Sequence, residues 1–300
     1  LPTTNTTVNE AQSWQNRILS ERAKGYEGHP QCFVAVVSPP QVIDYFDGRT
    51  RYDNDATIRR ALPLLAQVPL VAGQRVLDIA TGTGIIAIAA AQQAGPIGTV
   101  VGVDFSVSMM AQAQRKISDL GLENIELLEA DVEQVNFGAA NFDTVFCSSA
   151  LVYLTDIPGA LEKWYRWLKP GGTVAFSAWS EQSHVTPIII EVCKSRGIEL
   201  LNINAPTGTV NKCTGLLKKA GFEQVRVVSE QQGHYASLER ASRWDGQWFH
   251  PTQNALEGLS EAEISAIAQA YAAAVEASAI EQGIWCEKEA FYVMGQKPKR

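Results

Sequence analysis

At 300 residues the chain is long enough for one enlarged α/β domain or a core with a smaller cap. Its net charge of −7, with no lysine- or arginine-rich run, speaks against duplex nucleic acid as a partner, because phosphate binding depends on clustered cations. No apolar run approaches the length of a membrane span, and no secretory h-region opens the chain. The five cysteines (Cys32, Cys147, Cys193, Cys213, Cys286) are odd in number and scattered without a C-x-x-C pair, which predicts a reducing, cytoplasmic setting and no metal site.

The polar start, Leu1-Pro-Thr-Thr-Asn-Thr-Thr7, lacks an initiator methionine. It reads either as a trimmed product or as the edge of a domain cut from a larger polypeptide at a polar linker. Residues 1–53 are expected to form that linker and lid helices, 54–180 a ligand-binding core, and 181–300 the remaining core strands with helical cap insertions at about 181–209 and 235–282.

The first strong element is Arg75-Val-Leu-Asp-Ile-Ala-Thr-Gly-Thr-Gly84, a buried strand that breaks into a glycine turn and runs into the alanine-rich helix from Ile85 to Gln93. Gly82 and Gly84 permit a tight turn and a close approach of ligand to backbone, and the helix N-terminus presents free N–H groups above it. Gly82 to Ala87 satisfies the dinucleotide pattern G-x-G-x-x-A, with Asp104 about 20 residues further on. Asp78 counts against that reading. A carboxylate inside the strand repels a pyrophosphate but can accept hydrogen bonds from a cationic amino-acid group.

The pattern then repeats. Thr99 to Asp104 is a short apolar strand ending in an acid able to bind two ribose hydroxyls, and Phe105-Ser106 open the next helix. Asn124 to Asp131 is a third strand ending in an acid, suited to accept from an exocyclic amine. Asn141 to Ser149 is a fourth, with Ser148 and Ser149 at its mouth. Leu168-Lys-Pro-Gly-Gly172 reads as a helix stop and turn feeding a fifth strand, Thr173 to Trp179. Three acids at successive strand ends mark the edge where open α/β sheets bind ligands.

Helices are expected over Pro187–Arg196 and Asn211–Ala220, the second closed by Gly221, followed by a sixth strand to Val228 and a last strand from Gly283 to Gly295. Between them, helical patterns cover Ser237–Trp248 and Ser260–Ala279, with Ser260-Glu-Ala-Glu263 as a capping box. With Ala11 to Asp53 these make a lid over the ligand edge.

The set VLDIATGTG, VVGVDFSVSMM, EADVEQVNF, FDTVFCSSALVYLTD and LKPGGTVAFSAW resembles the class I S-adenosylmethionine (SAM)-dependent methyltransferases, in particular the branch acting on small molecules and quinones. The resemblance is strong over Tyr52 to Trp179. It implies a Rossmann-like doubly wound seven-stranded mixed sheet with an antiparallel last strand. It also implies SAM as cofactor, S-adenosylhomocysteine (SAH) as product, and a cofactor set of Asp78, Thr81, Gly82, Gly84, Asp104, Phe105, Ser106, Met109, Asp131, Val132 and Ser148. Within that set Asp78 and the glycine turn hold the methionine part, Asp104 the ribose, Phe105 and Met109 flank the adenine, and Asp131 with Val132 meets its edge.

Ser148-Ser149-Ala150-Leu151 stands where amide- and nucleobase-amine methyltransferases carry an Asn/Asp-Pro-Pro-aromatic clamp. The His-His pair of many small-molecule O-methyltransferases is replaced by Val152 and Tyr153. A general base is therefore sought in His184, with Glu181 near, or in His250, with Asp245 near; Tyr153 is the third choice. The expected reaction is O-methylation of a small apolar molecule, with C-methylation of a quinone-like ring as the alternative. The capped core is also similar to methyltransferase domains of polyketide synthases, which implies a substrate presented by an acyl carrier protein. Two readings from other classes stand beside these. A short-chain oxidoreductase is suggested by Tyr165-Arg-Trp-Leu-Lys169, although Lys169 falls at the wrong edge of the sheet; a non-catalytic cofactor-binding module, such as a scaffold within a synthase, is the other, and retention of all the cofactor acids counts against it.

Overall fold

The computed structural model describes residues 42, 46–49, 52–183, 185–251, 253 and 255–300. Of two compact units, Leu1–Ala35 lies outside these residues and Val36–Arg300 contains everything below.

After helix α1 (Asp55–Ala66) the chain alternates strand and helix: β1 (Arg75–Ile79), α2 (Ile85–Ala94), β2 (Thr99–Asp104), α3 (Val107–Asp119), β3 (Ile125–Glu129), β4 (Phe142–Cys147), α4 (Ile157–Trp167) and β5 (Leu168–Trp179). Helices α5 (Thr186–Lys194) and α6 (Val210–Lys219) lead to β6 (Glu223–Gln231), β7 (His234–Ala236), α7 (Leu238–Ala241), α8 (Glu261–Ala277), β8 (Ile284–Cys286) and β9 (Glu289–Gln296). The main sheet has seven strands in the order β3-β2-β1-β4-β5-β9-β6. Its first five members run parallel, and β9 runs antiparallel to both β5 and β6.

This is the mixed sheet the resemblance implies, and its physical basis is plain. Strands β1, β2 and β4 are buried on both faces, which is why they read as unbroken apolar runs rather than alternating ones. One face packs under α1 and α2 through Leu64, Ile86, Ala90 and Tyr292. The other packs under α4 and α6 through Leu161, Trp164, Trp167 and Leu217. Trp164 and Trp167, each about 1 % exposed, are core residues. The order reverses between β1 and β4, and the crevice beyond their carboxyl ends is the topological switch point where such sheets bind ligands.

Three expected boundaries shift. The turn Lys169–Gly172 does not precede the fifth strand but interrupts it: Leu168 pairs with Phe142, four residues bulge out, and Thr173 resumes register opposite Thr144. The expected last strand is two strands. Residues Ile284–Cys286 pair with β7 in a separate two-stranded sheet, and only Glu289–Gln296 enter the main one. At that break Gly233 packs so closely beneath the Trp285 ring that a Cβ would collide with it, and the paired chains leave the main sheet together. The helix expected over Ser237–Trp248 stops at Ala241, because Asp245 Oδ1 accepts from Gln247 N at 3.0 Å and Gly246 takes a φ of +78°. Such local side-chain bonds compete with the helix.

Segments 185–200 and 236–286 share a small apolar core through Ile189, Cys193, Ile267, Tyr271, Val275 and Ile284. The capping box is formed on both sides, with Ser260 Oγ accepting from Glu263 N and Glu263 accepting from Ser260 N at 2.8 Å. Among the described residues, no helix is long and apolar enough to cross a membrane.

Candidate active site

The glycine turn between β1 and α2 is built from residues in left-handed backbone: Ala80 (φ 51°), Gly82 (φ 55°) and Gly84 (φ 78°). A Cβ at Gly82 would meet no atom within 4 Å, so the glycine answers to its positive φ and leaves the floor of the crevice open. Gly84 instead faces inward, where a Cβ would lie 3.2 Å from the Ala113 Cβ. It sets the packing of α2 against α3.

Asp78 sits beneath this turn, about 1 % exposed. Its Oδ2 accepts from Thr81 Oγ1 at 2.6 Å and from Ala87 N at 3.1 Å. The second bond caps the first turn of α2 from outside the helix, in place of a side-chain cap that Gly84 cannot provide. Burial pushes the Asp78 carboxyl up to about 7, against the lowering effect of its Thr81 and Ala87 bonds.

Asp104 ties the turn to the next helix. Its Oδ2 accepts from Gly82 N at 2.8 Å and its Oδ1 from Ser106 N at 2.8 Å. Burial raises this carboxyl to about 6, opposed by those two N–H groups. The N–H groups of Gly82, Ser106 and Phe105 draw on part of the carboxylate's acceptor capacity, and the rest is open to a ribose hydroxyl donor. Ser106 Oγ caps α3 by accepting from Met109 N, and donates to Asp47 Oδ1 at 2.5 Å. Asp131 is buried, with Oδ1 accepting from Glu133 N at 2.9 Å.

The result is an open cleft whose empty space, its solvent mouth included, is about 670 Å³. Gly82, Asp104, Phe105, Met109, Asp131, Val132 and Ser148 line it, as the resemblance implies for a cofactor site. Asp78, Thr81, Gly84 and Ser106 do not. They stand behind that lining and hold the turn and the two helix N-termini. Val42, Phe46, Tyr52, Ala80, Ser149 and Tyr153 also line it, which brings Tyr153, the third candidate base, and Ser149 at the strand mouth into the cleft; Phe46 and Tyr52 fall in the stretch expected to form a lid. Phe46 meets Tyr153 edge-on with centroids 5.3 Å apart, and Tyr153 meets Phe249 at 5.8 Å. Three chain segments thus converge through their rings. The sequence signals for this wall are the aromatic and acidic stretch from Asp44 to Asp53 and the run from Ser148 to Tyr153 after the fourth strand.

The candidate bases fare differently. His184 lies outside the described residues. His250 forms a bridge with Gln253 and is absent from the lining, although its neighbour Phe249 touches Tyr153. Asp245, offered as its orienting acid, is engaged in its own turn, and Glu181 pairs with Lys212. Lys169 bonds Asp143 at 2.8 Å at the start of β4, on the edge of the sheet opposite the cleft. The Tyr-x-x-x-Lys spacing therefore makes no catalytic pair there.

The strand order, the antiparallel β9 and the acids at the ends of β2 and β3 define the fold and cofactor cleft of the class I SAM-dependent methyltransferases. Residues 76–172 match the methyltransferase domain family, and the chain carries a SAM-dependent methyltransferase domain of that class. Aklanonic acid methyltransferase DauC of Streptomyces sp. (strain C5) is 38 % identical over 108 residues, 36 % of this chain and 49 % of that protein. Demethylmenaquinone methyltransferase of Listeria welshimeri is 28 % identical over 181 residues, covering 55 % of this chain and 77 % of the relative. The chain thus spans about half the length of DauC. Among solved structures, the YcgJ protein of Bacillus subtilis superposes with a TM-score of 0.55 at 16 % identity, over 81 % of this chain and all of that one. Phosphoethanolamine N-methyltransferase 2 of Haemonchus contortus, solved with phosphomonomethylethanolamine and SAH, gives a TM-score of 0.51 at 20 % identity, over 80 % of this chain and 52 % of that one. At these identities the two structures speak for the fold.

Proposed function

We propose that the whole protein methylates an oxygen atom of a small apolar acceptor. The observation that carries this reading is the wall facing the cofactor residues. It is aromatic (Phe46, Tyr52, Tyr153), and its polar groups are hydroxyls, those of Ser149 and of the two tyrosines. Among the described lining residues the carboxylates are Asp104 and Asp131, both at the cofactor side, so nothing there is arranged to draw in an amine.

Bound SAM supplies an electrophilic methyl group: attack forms one C–O bond and breaks one S–C bond, whose electron pair stays on sulfur. The chain's own work is to hold and shield. Asp104 and Asp131 would hold the ribose and the adenine amine, Phe105, Met109 and Val132 the adenine faces, and the rings of Phe46, Tyr52 and Tyr153 exclude water and align the acceptor. The acceptor is taken either free or as a β-hydroxyacyl or enol group on an acyl carrier protein, in a cytoplasmic setting. Resemblance to the demethylmenaquinone methyltransferases supports the second reading, methylation of a quinone-like ring carbon.

The test is incubation with methyl-labelled SAM and an extracted metabolite pool, with mass spectrometry of the labelled product. Label released by hydriodic acid as an alkyl iodide supports oxygen; acid-stable label supports ring carbon; absence of transfer counts against both. A histidine base is the remaining part of the account to be tested. If His184 or His250 serves, its alanine variant loses on the order of 100-fold or more in turnover. From its place outside the lining, His250→Ala is expected to keep turnover within about twofold, and full retention in both variants removes the histidine base.

A further inference from the structure

Ser149 is a residue whose conformation nothing so far explains. It follows β4, lines the cleft, and holds a φ of +55° although it is not glycine. Such a conformation is costly for a side chain with a Cβ and persists only where neighbours impose it. The neighbour here is Ser177 on β5, about 6 % exposed. Ser149 N donates to Ser177 Oγ at 2.8 Å, and the two hydroxyl oxygens lie 3.3 Å apart.

Either hydroxyl could donate to the other, and the direction from Ser177 to Ser149 is the one that gives both hydrogens a use. Ser177 Oγ already accepts from a backbone N–H, and its own hydrogen finds a partner in Ser149 Oγ. Ser149 then accepts from Ser177 and keeps its hydrogen for the cleft. The opposite assignment would leave the buried Ser177 hydrogen without that partner. A strained backbone and a buried hydroxyl together present one donor on the acceptor side.

We propose that Ser149 positions the methyl acceptor by donating to one of its oxygens, and that the acceptor is an oxygen acid already ionised at neutral pH, a carboxylate or an acidic enol or phenol. This rests on the methyltransferase reading above and specifies its substrate class. A neutral alcohol must lose a proton on alkylation, and among the described lining residues the acceptor side offers no histidine or carboxylate but only Tyr153 of the candidate bases, a phenol, a group ordinarily protonated at neutral pH. An ionised acid has no proton to lose. It needs a hydrogen-bond donor to orient it and an apolar wall to strip its water, and Ser149 with the Phe46, Tyr52 and Tyr153 rings provides both. Ser149 is a positioning residue in this account, and Ser177 positions Ser149.

The experiment measures binding of 2-naphthoate and of uncharged 2-naphthylmethanol to the SAH complex of the full chain. Wild type should prefer the carboxylate. Ser149→Ala should weaken naphthoate about tenfold, the worth of one hydrogen bond to a charged group, while leaving naphthylmethanol and SAH within about twofold. Ser149→Gly, which suits the positive φ, should lose the same preference, showing that the hydroxyl and not the backbone is responsible. Ser177→Ala should reduce the preference with Ser149 intact. Unchanged naphthoate binding in Ser149→Ala, an equal loss of SAH, or no preference in wild type overturns the assignment. Failure of wild type to bind SAH overturns the methyltransferase reading instead.

Discussion

Asp104→Ala is expected to weaken SAH binding by on the order of 100-fold at pH 8, measured by titration calorimetry, because a hydrogen bond to a charged group and the tie between Gly82 N and Ser106 N are lost together. The carboxylate is the acceptor for a ribose hydroxyl in this reading, and it also joins Gly82 N to Ser106 N. Its elevated pKa gives the effect a pH signature. Burial lifts the group to about 6, so raising the pH from 5 to 8 ionises it and improves it as an acceptor. SAH affinity should climb over that window in wild type and stay flat in Asp104→Ala. Stability of the free protein runs the other way. A carboxyl whose folded pKa exceeds its unfolded value contributes stability that is complete below about pH 4 and is lost as pH rises through the folded value. The ligand-free chain should therefore lose stability between pH 4 and 7 while its affinity grows.

The second large effect belongs to Asp78. Alanine there leaves the Thr81 hydroxyl and the Ala87 N–H without their acceptor in a buried site. Unmet buried donors cost about 1–3 kcal/mol each, so a loss of about 2–4 kcal/mol and a fall in Tm of about 5–10 °C are expected. Cofactor affinity should fall with it, because the glycine turn is no longer braced. Asp78→Asn keeps an acceptor oxygen and should lie between. Removing a carboxyl raised to about 7 should also flatten part of the stability loss between pH 4 and 7. A variant that melts with wild type and fails only to bind SAH would instead mark Asp78 as a direct ligand.

That pair of acids shows what sequence can and cannot convey. Asp78 and Asp104 give the same signal, an acid within or ending an apolar strand beside a glycine turn. Where each carboxyl lies is decided by strand length and turn geometry: β2 ends on Asp104 at the cleft, whereas Asp78 precedes the end of β1 and bonds back under the turn. The parallel strands were legible because burial on both faces leaves continuous apolar runs between glycine and proline breaks. The capping box at Ser260 was legible because it is a local bond. The end of the chain was less so, since β8 and β9 follow one another with an apolar pattern that does not reveal a change of sheet. The assembly of the acceptor wall was illegible for a different reason. Phe46, Tyr153 and Phe249 meet across about 200 residues of sequence, and such contacts leave no periodic trace. Ser149 and Ser177 likewise come together only because β4 and β5 are neighbours.

The glycine turn fits two cofactors by pattern, G-x-G-x-x-A with an acid about 20 residues on, and the match of residues 76–172 to the methyltransferase domain family favours the sulfonium nucleoside over the dinucleotide. The most direct measurement is calorimetric titration of the wild-type chain at pH 8 with SAH and, separately, with NAD. Saturable one-to-one binding of SAH and no heat from NAD is the result expected of a SAM-dependent methyltransferase. Saturable binding of NAD, or no binding of SAH, would contradict it.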